Sequence, residues 1–559
     1  MKLGFLKYTL LSLALVAAVS NVEAKPNDND SKNRKSAKLG RNMEMMVNLM
    51  HVLSTQYVDE VDADKMMRHG ANGITSMLDP YTSFIPEEDL PDFETMTTGR
   101  YGGIGSLIRK NGDYVIIAEP YKGSPADTHG LMIGDKIVAI NGKDMKGAKV
   151  EEISKSLRGE PNTTVKVTVE RLLTGEREEL KIRRQHVVIP SITYAGYIAD
   201  GVGYIRHADF TDKCYDDMRA AILRLQKEGE LKALVLDYRN NGGGVLRSAV
   251  KILSLFVPKG TMVVETRGRD GKTHKLFTEH EPLLPNIPLA VLINGNSASA
   301  SEIVAGAIQD FDRGVLIGQR SFGKGLVQGT YPLGYNSLAK VTVGKYYTPS
   351  GRCVQAMNYD SEGRPEAVAD SLIQEFKTKC GRKVYDGGGI MPDKKLEPEY
   401  ISVFAATLVY MGIIGDFGDS YFKKNHTKEI DVKNFSITDE DYAEFVKMAM
   451  EHDIPYKSES RTALEKLRQA LVKERNTSLD EALNAIDQGL KDDKRSNLET
   501  FRKDITEQIN QNIVLRYAYG EGVIANTLGK DNEVLEAIKL LSDEKEYKHI
   551  ITEQDTQRK

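Results

Sequence analysis

A chain of 559 residues is too long for one compact core and points to three or four domains. Its 76 basic and 80 acidic residues nearly cancel to a net charge of −4, so no broad basic field offers itself to nucleic acid. An apolar content of 40% and a charged content of 28% are ordinary for a soluble protein.

The first 24 residues, MKLGFLKYTLLSLALVAAVSNVEA, carry Lys2 and Lys7, an apolar run over 8–19, and small residues at Val22 and Ala24. This is the layout of a secretory signal cleaved before Lys25. The apolar core falls short of the ~20 residues that span a bilayer. The expectation is an exported, periplasmic protein, soluble or loosely membrane-associated. Residues 25–38 (KPNDNDSKNRKSAK) lack periodicity and read as a disordered leader. Over 39–77 apolar residues recur at helical spacing (Met43, Met46, Val47, Met50, Leu53, Met67, Ile74, Leu78), which predicts two helices ending at LDPYTSF (78–84). The methionines read as core filler.

From 99 to 184 the rhythm changes. YGGIGSLI, DYVIIAEP, GDKIVAING and TTVKVTVER read as short strands between Gly, Pro and Asn turns, with helical pieces around SPADTHGL and KVEEISKSL. GGIG (102–105), followed by GSPADTHGLMIGDKIVAING (123–142), resembles a PDZ domain in motif and in order. The resemblance implies that backbone N–H groups of Gly102, Gly103, Ile104 and Gly105 receive a terminal carboxylate while a strand edge pairs with an extended peptide.

Residues 185–395 alternate strands (VGYIRHADF, LKALVLDYR, LAVLING, RGVLIGQ) with helices (DDMRAAILRLQKE, VLRSAVKILSLF, SEIVAGAIQD), the α/β signature. Past residue 400 the chain is helical and charged. Phe501, Ile505, Ile509, Ile513 and Tyr517 fall every four residues and form one apolar stripe, read as packing onto the same chain.

Chemistry concentrates in NGNSASASEIVAGAIQD (294–310), where Ser297, Ser299 and Ser301 precede a helix. Ser299 and Glu302 have capping-box spacing. A serine at a strand-to-helix junction also sits where helix N–H groups can hold an oxyanion. The usual histidine base has no supporting motif, and nothing near His207 recommends it. Lys324, in SFGKGLVQ (321–328), lies among glycines and apolar residues, where burial can keep an amine neutral. The three cysteines, Cys214, Cys353 and Cys380, leave a Cys353–Cys380 disulfide open, and without CxxC or HExxH no zinc site is read.

Together, S-A-S-A-S-E-I, D-F-D-R and G-x-x-S-F-G-K-G-x-V-Q resemble the C-terminal processing peptidases, or tail-specific proteases. The resemblance extends through VDEVDADKMMRHGANGITSMLDPYTSF, LDYRNNGGG (236–244), YYTPSGRCVQ (346–355) and GRKVYDGGGIMPD (381–393). Over roughly residues 40–395 it implies a multidomain α/β fold, with N-terminal helices (39–90), a PDZ domain (91–184) and a catalytic core of the ClpP/crotonase-like type (185–400); it weakens over the helical C-terminal region (401–559). Carried over, the nucleophile is Ser299, the base Lys324 and its supporting residue Gln328. Gly243 and Ala300 are the oxyanion donors, with Gly242 or Gly244 as alternatives to Gly243. Arg158 matches an arginine near the PDZ–catalytic boundary and carries a regulatory expectation. No metal or organic cofactor is required. Asp310, eleven residues after Ser299, is too far along a helix to support the lysine and reads as structural, pairing with Arg313 or organising the loop before Lys324. Expected partners are proteins or peptides with apolar C-terminal tails. For residues 401–559 a dimer platform, a lid and an adaptor surface all stay open. A silent binding protein on the same fold would need a replaced serine or lysine, and both are kept.

Overall fold

The computed structural model describes residues 29–490 and 494–552, so the signal read over 1–24 lies outside it. The backbone divides into two compact units at Met77 and Leu78. The first contains helices α1 (Asn29–Gln56) and α2 (Ala63–Thr75). The Asp62 carboxylate caps α2, accepting from the N–H groups of Asp64 (3.1 Å) and Lys65 (3.0 Å).

Two expectations are corrected here. Helix α1 starts at Asn29, inside the stretch read as a disordered leader. Extending a helix costs less than nucleating one, so the amphipathic segment carries polar residues with it. Nor are the methionines core filler: Met43, Met46 and Met67 are exposed, as are Leu53 and Ile74, and Met50 is only half-buried, because two helices alone cannot enclose a core.

The second unit opens with β1 (Ser83–Ile85) and α3 (Leu90–Thr98). Next come β2 (Arg100–Gly103), β3 (Ser106–Asn111), β4 (Tyr114–Pro120), the single turn α4 (Pro125–Thr128) and β5 (Lys136–Ile140). The β-rich part ends with α5 (Val150–Leu157), β6 (Thr164–Glu170), β7 (Arg177–Arg183) and β8 (Gln185–Val188). Strands β3-β4-β5-β6-β7 form one sheet in that order, and β2 pairs with β8. Val165, Val167 and Val169 alternate inward along β6 onto Val115, Ile117, Ile137 and the Ile153–Leu157 face of α5. Strand β3 is left as an edge with α5 beside it.

The α/β core follows. Its elements are β9 (Ile192–Ala199), β10 (Val202–His207), α6 (Cys214–Glu228), β11 (Ala233–Asp237) and α7 (Leu246–Leu253). They continue with β12 (Met262–Gly268), β13 (Thr273–Phe277), β14 (Leu289–Ile293), α8 (Ala300–Asp310) and β15 (Val315–Gly318). A hairpin, β16 (Leu326–Gly334) and β17 (Ser337–Tyr347), and the short β18 (Lys394–Lys395) complete it. The main sheet runs β9-β10-β11-β14-β15-β18, parallel except for β9 against β10. A second sheet, β1-β17-β12-β13 with β16 on β17, lies at its side.

All five residues of β11 and of β14 are buried, as expected of strands covered on both faces. Leu234, Leu236, Leu289, Val291 and Ile293 point to α6, α7 and α8. Val235, Ala290, Leu292, Val315 and Ile317 point the other way, onto Leu528, Val534, Ala537, Leu540 and Tyr547. These belong to three late helices, α9 (Arg502–Leu528), α10 (Asn532–Ser542) and α11 (Glu544–Thr552). The C-terminal region therefore supplies the second layer of the main sheet. The predicted stripe lies on α9: Ile505, Ile509 and Ile513 are fully buried against Phe404, Leu408, Phe417 and Phe445 of the same chain. Helix α9 kinks at Ala518 and Tyr519, where Tyr519 has φ 55°.

Candidate active site

Strand β14 ends at Ile293, and the chain turns into α8 through the three serines. Ser299 is the N-cap residue, at φ 55° and ψ −111°. This is a sparsely populated conformation for a side chain with a Cβ. The outer serines fasten the turn. Ser297 donates to the Tyr238 carbonyl and accepts from the Asn294 N–H, each at 2.9 Å. Ser301 donates to the Asn241 carbonyl at 2.9 Å. Both bonds tie the serine turn to the loop after β11 that carries NNGGG.

Glu302 proves to be more than the cap read from sequence. The capping-box arrangement is present, with the Ser299 N–H donating to Oε2 at 2.8 Å. The same oxygen accepts the Lys324 N–H at 2.9 Å, while Oε1 accepts from Ser321 Oγ at 2.6 Å and the Gly323 N–H at 2.7 Å. One fully buried carboxylate thus holds the serine and lysine backbones together. Since both N–H groups sit on one oxygen, the two peptide nitrogens cannot be farther apart than two hydrogen-bond lengths. Burial pushes the Glu302 pKa up, and its four hydrogen bonds work against that rise.

Lys324 is half-buried, with its Nζ 4.4 Å from the centroid of the Tyr81 ring. Burial, reinforced by the Lys340 ammonium, lowers its pKa below the ordinary lysine value, while Glu302 and Asp79 oppose the shift. Among the described residues its ammonium makes no hydrogen bond, to Ser299 or to Gln328. Gln328 instead donates to Thr342 Oγ1 at 3.2 Å. The expected lysine support by Gln328 is not formed, because β16 stays extended and places Gln328 opposite Thr342 of β17. The group against the lysine is Tyr81, from the LDPYTSF stretch, a role sequence reasoning missed.

The Gly243 N–H is taken by Asn241 Oδ1 at 2.9 Å and so is not free for an oxyanion. This directs attention to the alternatives: the N–H groups of Gly242, Gly244 and Ala300 have no partner among the described residues. Gly243 keeps a steric role. At φ +99°, a Cβ there would come within 2.8 Å of Ser299 Cβ and 2.9 Å of the Ala300 nitrogen. His207 is fully buried with neither ring nitrogen bonded, its ring tilted against that of Phe210 with centroids 4.4 Å apart. Asp310 is structural, but its partner is Arg352 (2.8 Å) rather than Arg313, whose guanidinium goes to three backbone carbonyls. Cys214, Cys353 and Cys380 are free thiols.

A second cluster passed unread in LDYRNNGGG. Asp237, fully buried, accepts from Tyr204 Oη at 2.5 Å and from Arg239, which also pairs with Asp531 and Glu533 beside α10. Burial opposes ionisation of Asp237, yet Arg239 holds its pKa below the usual range. The spacing of aspartate and arginine two residues apart was a legible signal; their acidic partners almost 300 residues on were not.

In the β-rich part, the GGIG carbonyls are anchored. Gly102 accepts from the Gly159 N–H (3.0 Å), Ile104 from the Ala126 N–H (2.7 Å), and Gly105 from Ser124 Oγ (2.8 Å). The N–H groups of Ile104 and Gly105 have no partner among the described residues, beside the free edge of β3. Arg158, at the C-cap of α5, pairs with Asp92 on α3 and lies 5.1 Å from the Tyr101 ring centroid.

A PDZ-type sheet ahead of an α/β core with a serine at a helix mouth defines a serine-type peptidase of modular build. Comparison with known proteins agrees. Residues 201–362 match the model of peptidase family S41, 116–171 that of the PDZ domain, and 404–541 that of a probable PDZ-protease C-terminal helical domain. A carboxy-terminal-processing protease of Bartonella bacilliformis is 36% identical over 57% of this chain and 73% of its own. A probable CtpA-like serine protease of Staphylococcus aureus (strain bovine RF122) is 33% identical over 65% of this chain and 72% of its own. Among solved structures, a photosystem II D1 C-terminal processing protease is 27% identical, with a TM-score of 0.34, covering 64% of this chain and 93% of its own. The chain belongs to the carboxy-terminal-processing protease family.

Proposed function

We propose that the protein is an exported serine endopeptidase that captures substrates by their C-terminal tails and cleaves them through an acyl-enzyme on Ser299, with Lys324 as base. The observation that carries this reading is the Glu302 carboxylate, whose Oε2 accepts from the backbone N–H of both residues. The backbones of Ser299 and Lys324 are thereby tied to one carboxylate although the two residues lie 25 positions apart in sequence, which supports the pairing. Neutral Lys324 takes the Ser299 proton, and Oγ attacks the scissile carbonyl carbon. The N–H of Ala300 and that of Gly242 or Gly244 receive the oxyanion. The ammonium then protonates the departing amine, and the lysine next takes a proton from the water that releases the acyl group. Because neutral lysine is the working form, the rate rises with pH. Its lowered pKa places that rise below the ordinary lysine value of ~10.4.

Tail capture is assigned to the Ile104–Gly105 turn and the open edge of β3, where an extended peptide with an apolar tail adds as a strand. Arg158, bridging α5 to Asp92 of α3, is the candidate relay from a filled PDZ groove. The layout of residues 1–24 supports export.

The test is cleavage of a reporter protein ending in an apolar tail. Ser299→Ala and Lys324→Ala each abolish turnover while the circular dichroism spectrum and melting temperature stay those of the parent; full activity in both would end the dyad reading. The same reporter with its tail replaced by a charged one is cleaved at least tenfold more slowly, and equal rates would rule out tail capture.

A further inference from the structure

We propose that the ring of Tyr81 is the resting seat of the protonated Lys324 side chain, making Tyr81 a positioning residue that governs how much of the lysine is free to reach Ser299. Its catalytic consequence rests on the reading of Lys324 as the base.

The seat is a built feature. Asp79 Oδ1 accepts the N–H groups of Tyr81 and Thr82, both at 2.8 Å, and Oδ2 accepts Thr82 Oγ1 at 3.0 Å, which closes a tight turn. Thr82 Oγ1 in turn accepts the Thr342 N–H of β17 at 3.1 Å. The next residues enter β1, paired with β17 in the register Ser83–Lys340 and Phe84–Ala339. Tyr359 braces the ring edge-on at 6.4 Å. Tyr81 therefore comes from a segment ahead of the PDZ sheet and is sewn onto the hairpin that follows the lysine.

The lysine is fixed at its backbone and free at its tip. Its own N–H is held by Glu302, and the Gly325 N–H by Gln355 Oε1 at 2.7 Å. With the Nζ 4.4 Å from the ring centroid and making no hydrogen bond among the described residues, the ring is its nearest specific partner. An aromatic face attracts an ammonium and offers little to a neutral amine. The phenol remains protonated, since burial pushes its pKa up, so the partner is a neutral ring and not a phenolate. The other groups facing Lys324 are Lys340 of β17, Glu302 of α8 and Asp79 of the turn. When the ammonium gives its proton to water, attraction to the ring lapses and the amine can turn to Ser299 Oγ. The ring thus stabilises the charged, parked form against the neutral, engaged one.

The test grades the ring without changing its size. Phenylalanine and its mono-, di- and trifluorinated analogues are placed at position 81 of the full chain, and Lys324 is titrated by NMR of 13Cε-labelled lysine, assigned with Lys324→Met. Each added fluorine weakens the ring's negative face, so the Lys324 midpoint falls stepwise, by about one pH unit over the series. The rising limb of kcat against pH moves with it, and Tyr81→Leu moves both at least as far. A midpoint unchanged across the series overturns the proposal even if Lys324→Ala is inactive. A midpoint that tracks fluorination while Lys324→Ala still cleaves upholds the seat and removes the base assignment.

Discussion

At the scale of single residues, Glu302 ties the backbones of Ser299 and Lys324 to one buried carboxylate. It takes four donors from two chain segments, Ser299 and the 321–324 loop, so replacing one oxygen by an amide sets donor against donor. Glu302→Gln keeps the volume but lets the serine and lysine turns part. The expected result is a kcat reduced about 100-fold with KM little changed, since misplacement near 1 Å costs that much. Steady-state kinetics beside a thermal melt checks it; a parental kcat would reduce Glu302 to a helix cap. Sequence reasoning reached Ser299, Lys324 and Glu302, because spacing and family motifs mark them. It gave Glu302 the smaller role, since a capping box is local whereas its bonds to Ser321, Gly323 and Lys324 reach about 20 residues on. It missed Tyr81 for the same reason: nothing in LDPYTSF announces a lysine some 240 positions away. The bond from Gln328 to Thr342 follows from the β16–β17 register, which sequence alone does not reveal.

At the scale of elements, three loops meet, after β11, β14 and β15, and serine hydroxyls staple the first two together. Ser301 Oγ to the Asn241 carbonyl is the buried staple. Ser301→Ala should destabilise the protein by about 1 kcal/mol, the worth of one such bond, and should raise amide exchange at Asn241–Gly244. Urea denaturation and hydrogen exchange read the two effects; an unchanged midpoint would show that the loops hold without it. Strands and helices of the α/β core were readable because β11 and β14 are continuous apolar runs. Helices α1 and α2 were equally periodic, yet their apolar faces are exposed: periodicity reports a face, not what covers it.

At the scale of the whole molecule, pH acts through His207. Burial lowers its pKa from 6.5 to about 3. The unfolded chain therefore takes up a proton near pH 6.5 that the folded chain refuses until about pH 3. Stability from this group is full above pH 6.5 and is lost as pH falls through that window, by roughly 2–3 kcal/mol between 6.5 and 4.5. Urea unfolding of the parent and of His207→Phe at both pH values isolates the effect, and identical pH slopes would exclude it. The other global feature is the layer that α9, α10 and α11 lay over the catalytic sheet. Ribosomes deliver a chain from its N-terminus, so Ser299, Lys324 and every strand of that sheet emerge well before Leu528, Val534 and Tyr547. Until those residues arrive, one face of the sheet stays bare and the fold around Ser299 and Lys324 is unfinished. A nascent chain halted before residue 528 thus carries the Ser299 and Lys324 turns on a sheet whose second layer has not yet been made.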